Sequence, residues 1–375
     1  MRIAFMSREK TGTSGRSEMP FERLSSELAS FGHDVTVYDV ANDRRNDPAA
    51  VTGRVRMMTF FRARSVFLRS LLSSLHVVVS GYDILHADSC VWIPYLFLFR
   101  VLRRRSCVIV TLRRDIDLRG LRMSFITRIV DMVVYSDRDM FERMAGSRRY
   151  PSVHIPYGVD EISVKSTTFI RSFGLKESRF ALSSTHGAGH EDIRCLVKVF
   201  QYLEDTGKLP NNFRLAIMGD RAETAGYGRY LRTMNEEHGN ILFLGDCSDR
   251  DRDELMSHAA LFVQPSAGAI SSGEILAAMS AGLPIVAADG NTNQEILGSS
   301  GTYFSVGDID SLRTVLAYML NRPDEMRTHG ELSLIRIRNR YSWEHTARLM
   351  SEMYGDVLRA RYSKVYGIQR NNHHA

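Results

Sequence analysis

The stretch Ser271-Ser-Gly-Glu-Ile-Leu-Ala-Ala-Met-Ser-Ala-Gly-Leu-Pro-Ile-Val-Ala-Ala-Asp289 carries the pattern that decides the fold. Its first part is a Ser/Gly start of a short apolar helix, and its second part, Leu283 to Ala288, is a short buried strand. Short apolar strands alternate with helical patterns along the whole chain, which predicts parallel sheets covered by helices on both faces. The predicted fold class is therefore α/β with doubly wound parallel sheets.

This alternation predicts six strands in each half of the chain. The first-half strands are Arg2 to Ser7, Asp34 to Val40, Asp83 to Ala87, Ser106 to Leu112, Asp131 to Ser136 and Ser152 to Ile155. The second-half strands are Phe180 to Ser184, Phe213 to Gly219, Asn240 to Gly245, Ala259 to Gln264, Leu283 to Ala288 and Thr302 to Ser305. An aperiodic stretch from Pro156 to about Arg171 is typical of a linker. We predict two Rossmann-like domains, 1–158 and 159–344, and expect a C-terminal helix, about 345–375, to pack back on the first.

Composition excludes several classes of protein. With 375 residues, 44% of them hydrophobic and 25% charged, the chain is neither disordered, fibrous nor polytopic. Its four cysteines form no C-x-x-C pair, which argues against a zinc site or a disulfide framework and for a reducing compartment. The N-terminus is too quickly polar for a signal peptide, and the apolar run 91–99 is too short to span a bilayer. We therefore predict a cytoplasmic protein, with a peripheral position on the inner face of the membrane as a further expectation.

Positive charge is concentrated in one block. Residues 51–130 contain 14 Arg, no Lys and 4 Asp, a sum of +10, whereas the whole chain carries +6. Such a block attracts phosphate groups, an anionic membrane surface or nucleic acid, of which nucleic acid ranks lowest because no recognition motif accompanies it. Residues Arg54 to Arg69 fit an amphipathic helix lying on a membrane. The alternative interpretation is a helix packed on its own sheet with its arginines outside.

Several segments resemble, in order and spacing, the nucleotide-sugar-binding domain of retaining GT-B glycosyltransferases of group 1, family 4. In the second half they are Ile155-Pro-Tyr-Gly-Val-Asp160, Leu215-Ala-Ile-Met-Gly-Asp220, Ile241-Leu-Phe-Leu-Gly245, Glu254-Leu-Met-Ser-His-Ala-Ala-Leu-Phe-Val-Gln-Pro-Ser266, Ala278–Asp289 and Tyr341-Ser-Trp-Glu344. In the first half, Gly12-Thr-Ser-Gly15, Gly32-His-Asp-Val35 and Tyr82–Ala87 are similar to the family's N-terminal loop and strands. The resemblance covers nearly the whole chain.

This resemblance implies a fold and a reaction. The fold is GT-B, two Rossmann-like domains facing across a cleft. The reaction is the transfer of a sugar, of hexosyltransferase type, from a nucleoside diphosphate sugar to a glycan, lipid-linked or small-molecule acceptor, with a retaining mechanism. The nucleotide sugar is a co-substrate, and neither a cofactor nor a metal is expected. Two alternatives stay open: a catalytically silent GT-B protein that acts as a partner of another glycosyltransferase, and a GT-B sugar-nucleotide epimerase.

The resemblance also assigns donor-binding residues. Gly12 and Gly15 follow the first strand, where glycines let the backbone approach the donor, although a tight turn is the simpler interpretation. The backbone amides of Ser271, Ser272 and Gly273 begin a helix and are suited to a pyrophosphate, although the serines also fit plain helix caps. By analogy with the family, the nucleobase is expected to contact the backbone after the third strand of the second domain, at Gly245, Asp246 and Cys247.

The acidic pair of the family is absent from this chain. The family's Glu-x7-Glu pair falls on Ala269 and Ala277. Glu274 lies three residues before Ala277, hence on the same helix face, from which it can reach the ribose hydroxyls. A carboxylate in a first helical turn is equally favoured by the helix dipole alone, and both interpretations stay open.

The basic residues of the donor site also differ from the family. The family neutralises the diphosphate with an Arg and a Lys. In this chain the Arg position falls near His186, and the Lys position falls near His190 or Glu191. The two histidines are either phosphate partners or ordinary surface residues. The histidine that faces the donor sugar from the first domain is replaced by Arg113, next to Arg114. These two arginines either supply positive charge to the donor or are solvated at a strand end. His86 is expected at the same cleft, and the predicted catalytic residues are Glu274, His186 and Arg113.

Overall fold

The computed structural model describes residues 1–7, 21–39, 54–58, 66–88, 93–103, 105–112, 128–144, 150–186, 188–219, 239–268 and 272–366. These residues form two compact units. The first contains the residues up to Gly158 together with those from Trp343 onward, and the second contains Val159–Ser342. Strands and helices are numbered below in chain order over the described residues.

The first unit is a seven-stranded sheet with helices on both faces. Its strands are β1 (Arg2–Ser7), β2 (Asp34–Asp39), β3 (Val55–Met58), β4 (Ile84–Ala87), β5 (Cys107–Leu112), β6 (Met132–Tyr135) and β7 (Ser152–His154). Its helices are α1 (Phe21–Ser30), α2 (Val66–Ser80), α3 (Ile93–Leu102), α4 (Arg138–Arg143) and α12 (Trp343–Tyr366). All neighbouring strands are parallel, in the order β3-β2-β1-β4-β5-β6-β7.

Alternate side chains of β1 supply two separate cores. Ile3 and Phe5 join the cluster that contains α1 and α12, whereas Ala4 and Met6 join the cluster on the opposite face. This is the period of two that a strand buried on both faces requires. Helix α12 begins at Trp343, whose ring lies against Gly158: a Cβ built on that glycine would be 2.5 Å from the indole. The C-terminal helix is therefore part of the first unit's core.

The second unit is a six-stranded parallel sheet, also covered on both faces. Its strands are β8 (Phe180–Ser184), β9 (Arg214–Met218), β10 (Ile241–Gly245), β11 (Leu261–Gln264), β12 (Ile285–Ala288) and β13 (Gly301–Phe304). Its helices are α5 (Thr168–Ser172), α6 (His190–Asp205), α7 (Asp249–His258), α8 (Ser272–Ser280), α9 (Asn291–Leu297), α10 (Ile309–Leu320) and α11 (Pro323–Arg340), with a 3-10 turn at Gly298–Ser300. The order is β10-β9-β8-β11-β12-β13.

These two sheets confirm the predicted α/β class. Of the helices that the structure describes, none has both the length and the apolar character needed to cross a bilayer.

One sequence prediction was wrong in the first unit. The amphipathic helix expected over Arg54 to Arg69 is not formed at its start, because Val55–Met58 is the parallel edge strand β3, paired with Val35–Tyr38. Val55 is buried and Arg56 is exposed, which is strand alternation rather than helical periodicity. Residues 55–58 therefore do not belong to a membrane-lying helix, and helix α2 begins at Val66.

Candidate functional site

The second sheet reverses its strand order between β8 and β11, which lie side by side at its centre. In open parallel sheets, such a reversal leaves a crevice outside the carboxyl ends of the strands, and ligands bind there. After β8 the chain continues into Thr185 and His186, and the helix that follows β11 is α8. The loop after β8 and the first turn of α8 are therefore the places to look for functional side chains.

His186 and Glu274 connect these two segments. His186 Nδ1 lies 3.8 Å from Glu274 Oε1, an ion pair when the imidazole is protonated. Ser184, which is buried, orients the histidine: its hydroxyl accepts a hydrogen bond from the His186 backbone N–H at 3.1 Å and lies 3.2 Å from Nδ1. The His186 side chain is 55% exposed, whereas that of Glu274 is only 11% exposed. Ser184 thus orients the histidine, and more than half of the imidazole side chain remains accessible to a ligand.

Arg252 approaches the same carboxylate from helix α7. Its Nη1 lies 3.8 Å from Glu274 Oε1, and its Nη2 donates to Asp249 Oδ1 at 2.7 Å. The Arg252 side chain is 12% exposed, so this pair is screened less than a surface pair. The nitrogen atoms of both side chains lie beyond hydrogen-bond range of Glu274 Oε1, so Arg252 acts on the carboxylate through its charge.

Cys247 lies in the same electrostatic environment. Burial, then Asp251, Asp246 and Glu274, raise the pKa of the thiol to about 11, and Arg252 acts in the opposite direction. Its Sγ donates to the Gly245 carbonyl at 3.5 Å. The thiol is therefore protonated and neutral at physiological pH and is no nucleophile there. It is a small, neutral side chain in the segment after β10.

Gly219 determines how closely the loop after β8 approaches the sheet. Its φ is +130°, and a Cβ built on it would lie 1.9 Å from Thr185 Oγ1. The Gly219 N–H donates to the Gly245 carbonyl at 3.0 Å, and the Thr185 N–H donates to the Met218 carbonyl at 2.9 Å. Only glycine fits this position. The loop that carries His186 is consequently held by a hydrogen bond to the end of β9, which is itself hydrogen-bonded to the end of β10.

Helix α8 has nine residues, and its first turn contains Ser272, Gly273 and Glu274. The first N–H groups of a helix have no partner within the helix and, together with the helix dipole, favour an anion. A Cβ built on Gly273 meets no atom within 4 Å, so the space beside this turn is open. The turn combines helix N-terminal amide donors with a carboxylate that an arginine and a histidine side chain approach.

The structure brings some of the predicted site residues together. Glu274 lies beside His186, and its charge acts on the Cys247 thiol. Gly245, the last residue of β10, and Asp246 directly precede Cys247. His190 is exposed at the first position of α6, and of the two histidines it is His186 that pairs with Glu274. The predictions that fall outside the described residues are those for Gly12, Gly15, Arg113, Arg114 and Ser271.

His86 occupies a different environment from the one expected. It is fully buried in the first unit, with Nδ1 2.6 Å from the Tyr354 hydroxyl and Nε2 2.7 Å from Thr111 Oγ1. Its ring also packs against Phe5 and Phe21. The expectation that this side chain faces a donor is corrected: both ring nitrogens are engaged inside the core, where they join α12 to the sheet.

Arg252 is the site residue that the sequence did not reveal. It lies in Asp249-Arg-Asp-Arg-Asp253, a run of alternating charges with the appearance of a solvated helix face. Only the packing of α7 beside α8 shows that this arginine turns inward. Ala277, one turn beyond Glu274, is buried in the second unit's core.

Residues 182–322 match the family model described as Glycosyl transferases group 1. These residues lie within the second unit, which is therefore similar to the group 1 glycosyltransferases. Among curated proteins, none matches the chain. Several solved structures share the fold over nearly the whole length. A glycosyltransferase from Rickettsia africae has a TM-score of 0.71 at 14% identity, covering 95% of this chain and 98% of its own.

Two further solved structures show the same likeness. A sucrose-phosphate synthase from Thermosynechococcus elongatus has a TM-score of 0.63 at 17% identity, covering 96% of this chain and 99% of its own. HepE from Anabaena, in complex with UDP-glucose, has a TM-score of 0.65 at 15% identity, covering 95% and 100%. At these identities the likeness shows the fold, which is GT-B. The predicted fold is thereby confirmed, and the match of residues 182–322 supports the predicted resemblance to the group 1 glycosyltransferases.

Proposed function

We propose that this glycosyltransferase transfers a sugar from a nucleoside diphosphate sugar to a glycan, lipid-linked or small-molecule acceptor, with a retaining mechanism and without a metal ion. The observation that carries the proposal is the Glu274 carboxylate in the first turn of α8, between His186 and Arg252 at the strand-order reversal. The structure of HepE with UDP-glucose supports a donor of this class. Retention and metal independence rest on the resemblance to family 4.

In this proposal, the α8 amides and His186 bind the diphosphate. Cleavage of the bond between the anomeric carbon and the diphosphate oxygen leaves negative charge on the departing group. Preorganised N–H donors at Ser272 and Gly273 stabilise that charge more than they stabilise the intact donor. His186, when protonated, adds a cation on the open side. Most of the remaining rate enhancement comes from holding donor and acceptor in a reactive geometry.

Glu274 binds the ribose in this proposal. Its carboxylate oxygens accept hydrogen bonds from vicinal hydroxyl groups, and Arg252 compensates the charge that would otherwise repel the diphosphate. This arrangement replaces the family's acid at Ala277 by a carboxylate one helical turn earlier, on the same face. The substitution explains how a donor site can persist although Ala269 and Ala277 lack acids.

Calorimetric titration with UDP, GDP, ADP and dTDP, each with its common sugars, tests donor binding. We expect one nucleotide to bind, and the Glu274→Gln variant to bind it about tenfold more weakly, because a hydrogen bond to a charged acceptor is lost. The matched control is Glu204→Gln, an exposed carboxylate on α6 of the same unit, whose affinity should equal that of the unsubstituted protein.

Transfer itself is tested with the donor so identified. We expect nucleotide release to continue in the presence of a chelator, and proton NMR of the glycoside to show the donor's anomeric configuration. The proposal is contradicted if no nucleotide binds when its concentration is several hundred times an ordinary micromolar Kd. That result would favour a catalytically silent binding partner. An inverted product would contradict the mechanism alone.

A further inference from the structure

Helix α7 presents three polar side chains to one segment of the second unit. Glu254, Ser257 and His258 lie at positions i, i+3 and i+4, hence on one face of the helix. Each of them bonds to backbone atoms of residues 159–172, which begin the second unit and which we call the entry segment. The side chains of one helical face therefore attach α7 to the entry segment.

Glu254 makes the strongest of these attachments. Its side chain is buried, and Oε1 accepts from the Phe169 N–H at 2.5 Å and from the Ile170 N–H at 3.0 Å. Both N–H groups belong to the first turn of α5, whose own N-cap residue, Thr167, makes no side-chain cap. Hydrogen bonds to a carboxylate are about twice as strong as those between neutral groups. Glu254 thus caps α5 from another helix.

Two further bonds hold the same face of α7. The Ser257 hydroxyl oxygen accepts from the Val164 N–H at 2.9 Å, and His258 Nε2 donates to the Ser166 carbonyl at 2.8 Å. Hydrogen bonds are directional, whereas the apolar contacts of α7 with the core are not. The three side chains therefore determine how α7 is rotated and placed on the entry segment.

The entry segment is also bonded to α8. The Ile162 N–H donates to the carbonyl of Ser280, the last residue of α8, at 2.9 Å. Ile162 is itself buried in the core that α7 and α8 share. One segment thus bridges the two helices, of which α7 carries Arg252 and α8 carries Glu274.

The distance between Arg252 and Glu274 depends on this bridge. Arg252 Nη2 donates to Asp249 on its own helix, and Nη1 lies 3.8 Å from Glu274 Oε1. Within the part of the chain that the structure describes, the buried Nε of Arg252 has no hydrogen-bond partner. Because Arg252 and Glu274 share no hydrogen bond, the placement of α7 relative to α8 decides their separation.

We propose that Glu254 is a positioning residue of the donor site: by holding α7 on the entry segment, it sets the distance between Arg252 and Glu274. This inference rests on the proposed function, in which Glu274 binds the ribose and Arg252 compensates its charge. Without the carboxylate of Glu254, α7 loses both bonds to the first turn of α5. Arg252 then moves away from Glu274 and from Cys247.

The Cys247 thiol reports the position of Arg252. Burial raises the pKa of this thiol, the carboxylates of Asp251, Asp246 and Glu274 raise it further, and Arg252 acts in the opposite direction. If Arg252 moves away, less thiolate is present at a given pH, and alkylation becomes slower. A merely looser structure would expose the thiol and make alkylation faster.

Alkylation of Cys247 in the full chain by iodoacetamide at about pH 9, followed by mass spectrometry, tests the proposal. We expect Glu254→Ala to slow the reaction about threefold, because one nearby positive charge acts more weakly on the thiol. Arg252→Gln should slow it at least as much, and the double variant no further, because Glu254 acts through Arg252. The control is Leu316→Ala on α10, which alters the core on the other face of the sheet and should leave the rate unchanged.

Nucleotide titration separates this inference from the proposed function. We expect Glu254→Ala to weaken nucleotide binding about threefold, and the double variant with Arg252→Gln to bind as Arg252→Gln alone does. If the unsubstituted protein binds no nucleotide, the proposed function fails, whereas the alkylation experiment still decides the role of Glu254.

A milder variant keeps the test decisive if Glu254→Ala does not fold. Glu254→Gln keeps an acceptor oxygen for both N–H groups of α5 but loses the charge that strengthens those bonds. We expect it to slow alkylation by less than Glu254→Ala does. Unchanged or faster alkylation in Glu254→Ala, or in Glu254→Gln where only that variant folds, would overturn the proposal. So would an equal slowing with and without Arg252→Gln, or a slowing by Leu316→Ala.

Discussion

The two sheets of this protein have the same strand order around the central reversal, but a histidine near that point has opposite surroundings in each. In the first sheet, His86 on β4 is fully buried between Thr111 and Tyr354. In the second, His186 follows β8 with 55% of its side chain exposed, beside Glu274. Topology therefore places a histidine near a binding edge, and local packing decides whether a ligand can use it.

Helix α12 accounts for much of this difference. It brings Tyr354 onto the first sheet, where the hydroxyl meets His86 and the ring is fully buried. Burial raises the pKa of Tyr354, so this hydroxyl is neutral throughout the physiological range. In the second unit, His186 lies in the loop after β8, where 55% of its side chain is exposed. The buried histidine is structural, and the exposed one is available for chemistry.

Removing the buried histidine should have the largest effect. His86→Ala leaves a cavity and deprives two buried hydroxyl groups, those of Tyr354 and Thr111, of their partner. We expect the free energy of unfolding of the first unit to fall by about 3 kcal/mol in urea denaturation. His186→Ala, the same change at an exposed site, should alter it by less than about 0.5 kcal/mol. Equal losses in the two variants would contradict the comparison.

Gly219→Ala should have the next largest effect and sharpens the account of the open site. Its φ of +130° and the 1.9 Å approach to Thr185 Oγ1 leave no room for a Cβ. We expect a loss of about 2 kcal/mol in the unfolding of the second unit, together with weaker nucleotide binding, because the His186 loop must move.

The Gly207→Ala variant separates the cost of a left-handed backbone from the cost of a steric clash of the added Cβ. Gly207 also has a positive φ, +63°, but a Cβ there meets no atom within 4 Å. This variant should lose only about 1 kcal/mol, the cost of the left-handed backbone, and bind nucleotide normally. A Gly219→Ala variant that behaves like Gly207→Ala would show that the loop is not pinned.

The smallest expected effect is a pH dependence that distinguishes two cysteines. Burial raises the pKa of Cys247 to about 11 and that of Cys107, inside the first sheet, to about 12. The folded state disfavours the thiolate form of both cysteines. The stability contributed by the two neutral thiols is therefore fully present below about pH 9, and it is lost as the pH rises towards 11 for Cys247 and 12 for Cys107.

Iodoacetamide labelling followed by mass spectrometry measures this dependence. We expect Cys247, which is half-buried, to react slowly near neutral pH and faster towards pH 11, and the fully buried Cys107 to react only on unfolding. Labelling of Cys247 in the folded chain with the same pH midpoint as in the urea-unfolded chain would contradict the proposed environment of the thiol.

Most strands were predictable because each is a short apolar run between turn residues. Strands β9 and β10 also carry segments of the family pattern, so their place in the fold was predictable as well. The strand β3 was missed because Val55-Arg-Met-Met58 has too few residues for periodicity to separate strand from helix. What decides it is pairing with β2, a contact between residues distant in sequence.

The α/β class, the group 1 resemblance and the candidates Glu274 and His186 follow from the amino-acid sequence, because hydrophobic period and motif spacing are local properties. That Arg252 approaches Glu274, and that His86 is engaged in the core, could be learned only from the folded chain. Burial and charge pairing depend on which side chains distant in sequence come together, and a local sequence pattern does not contain that information.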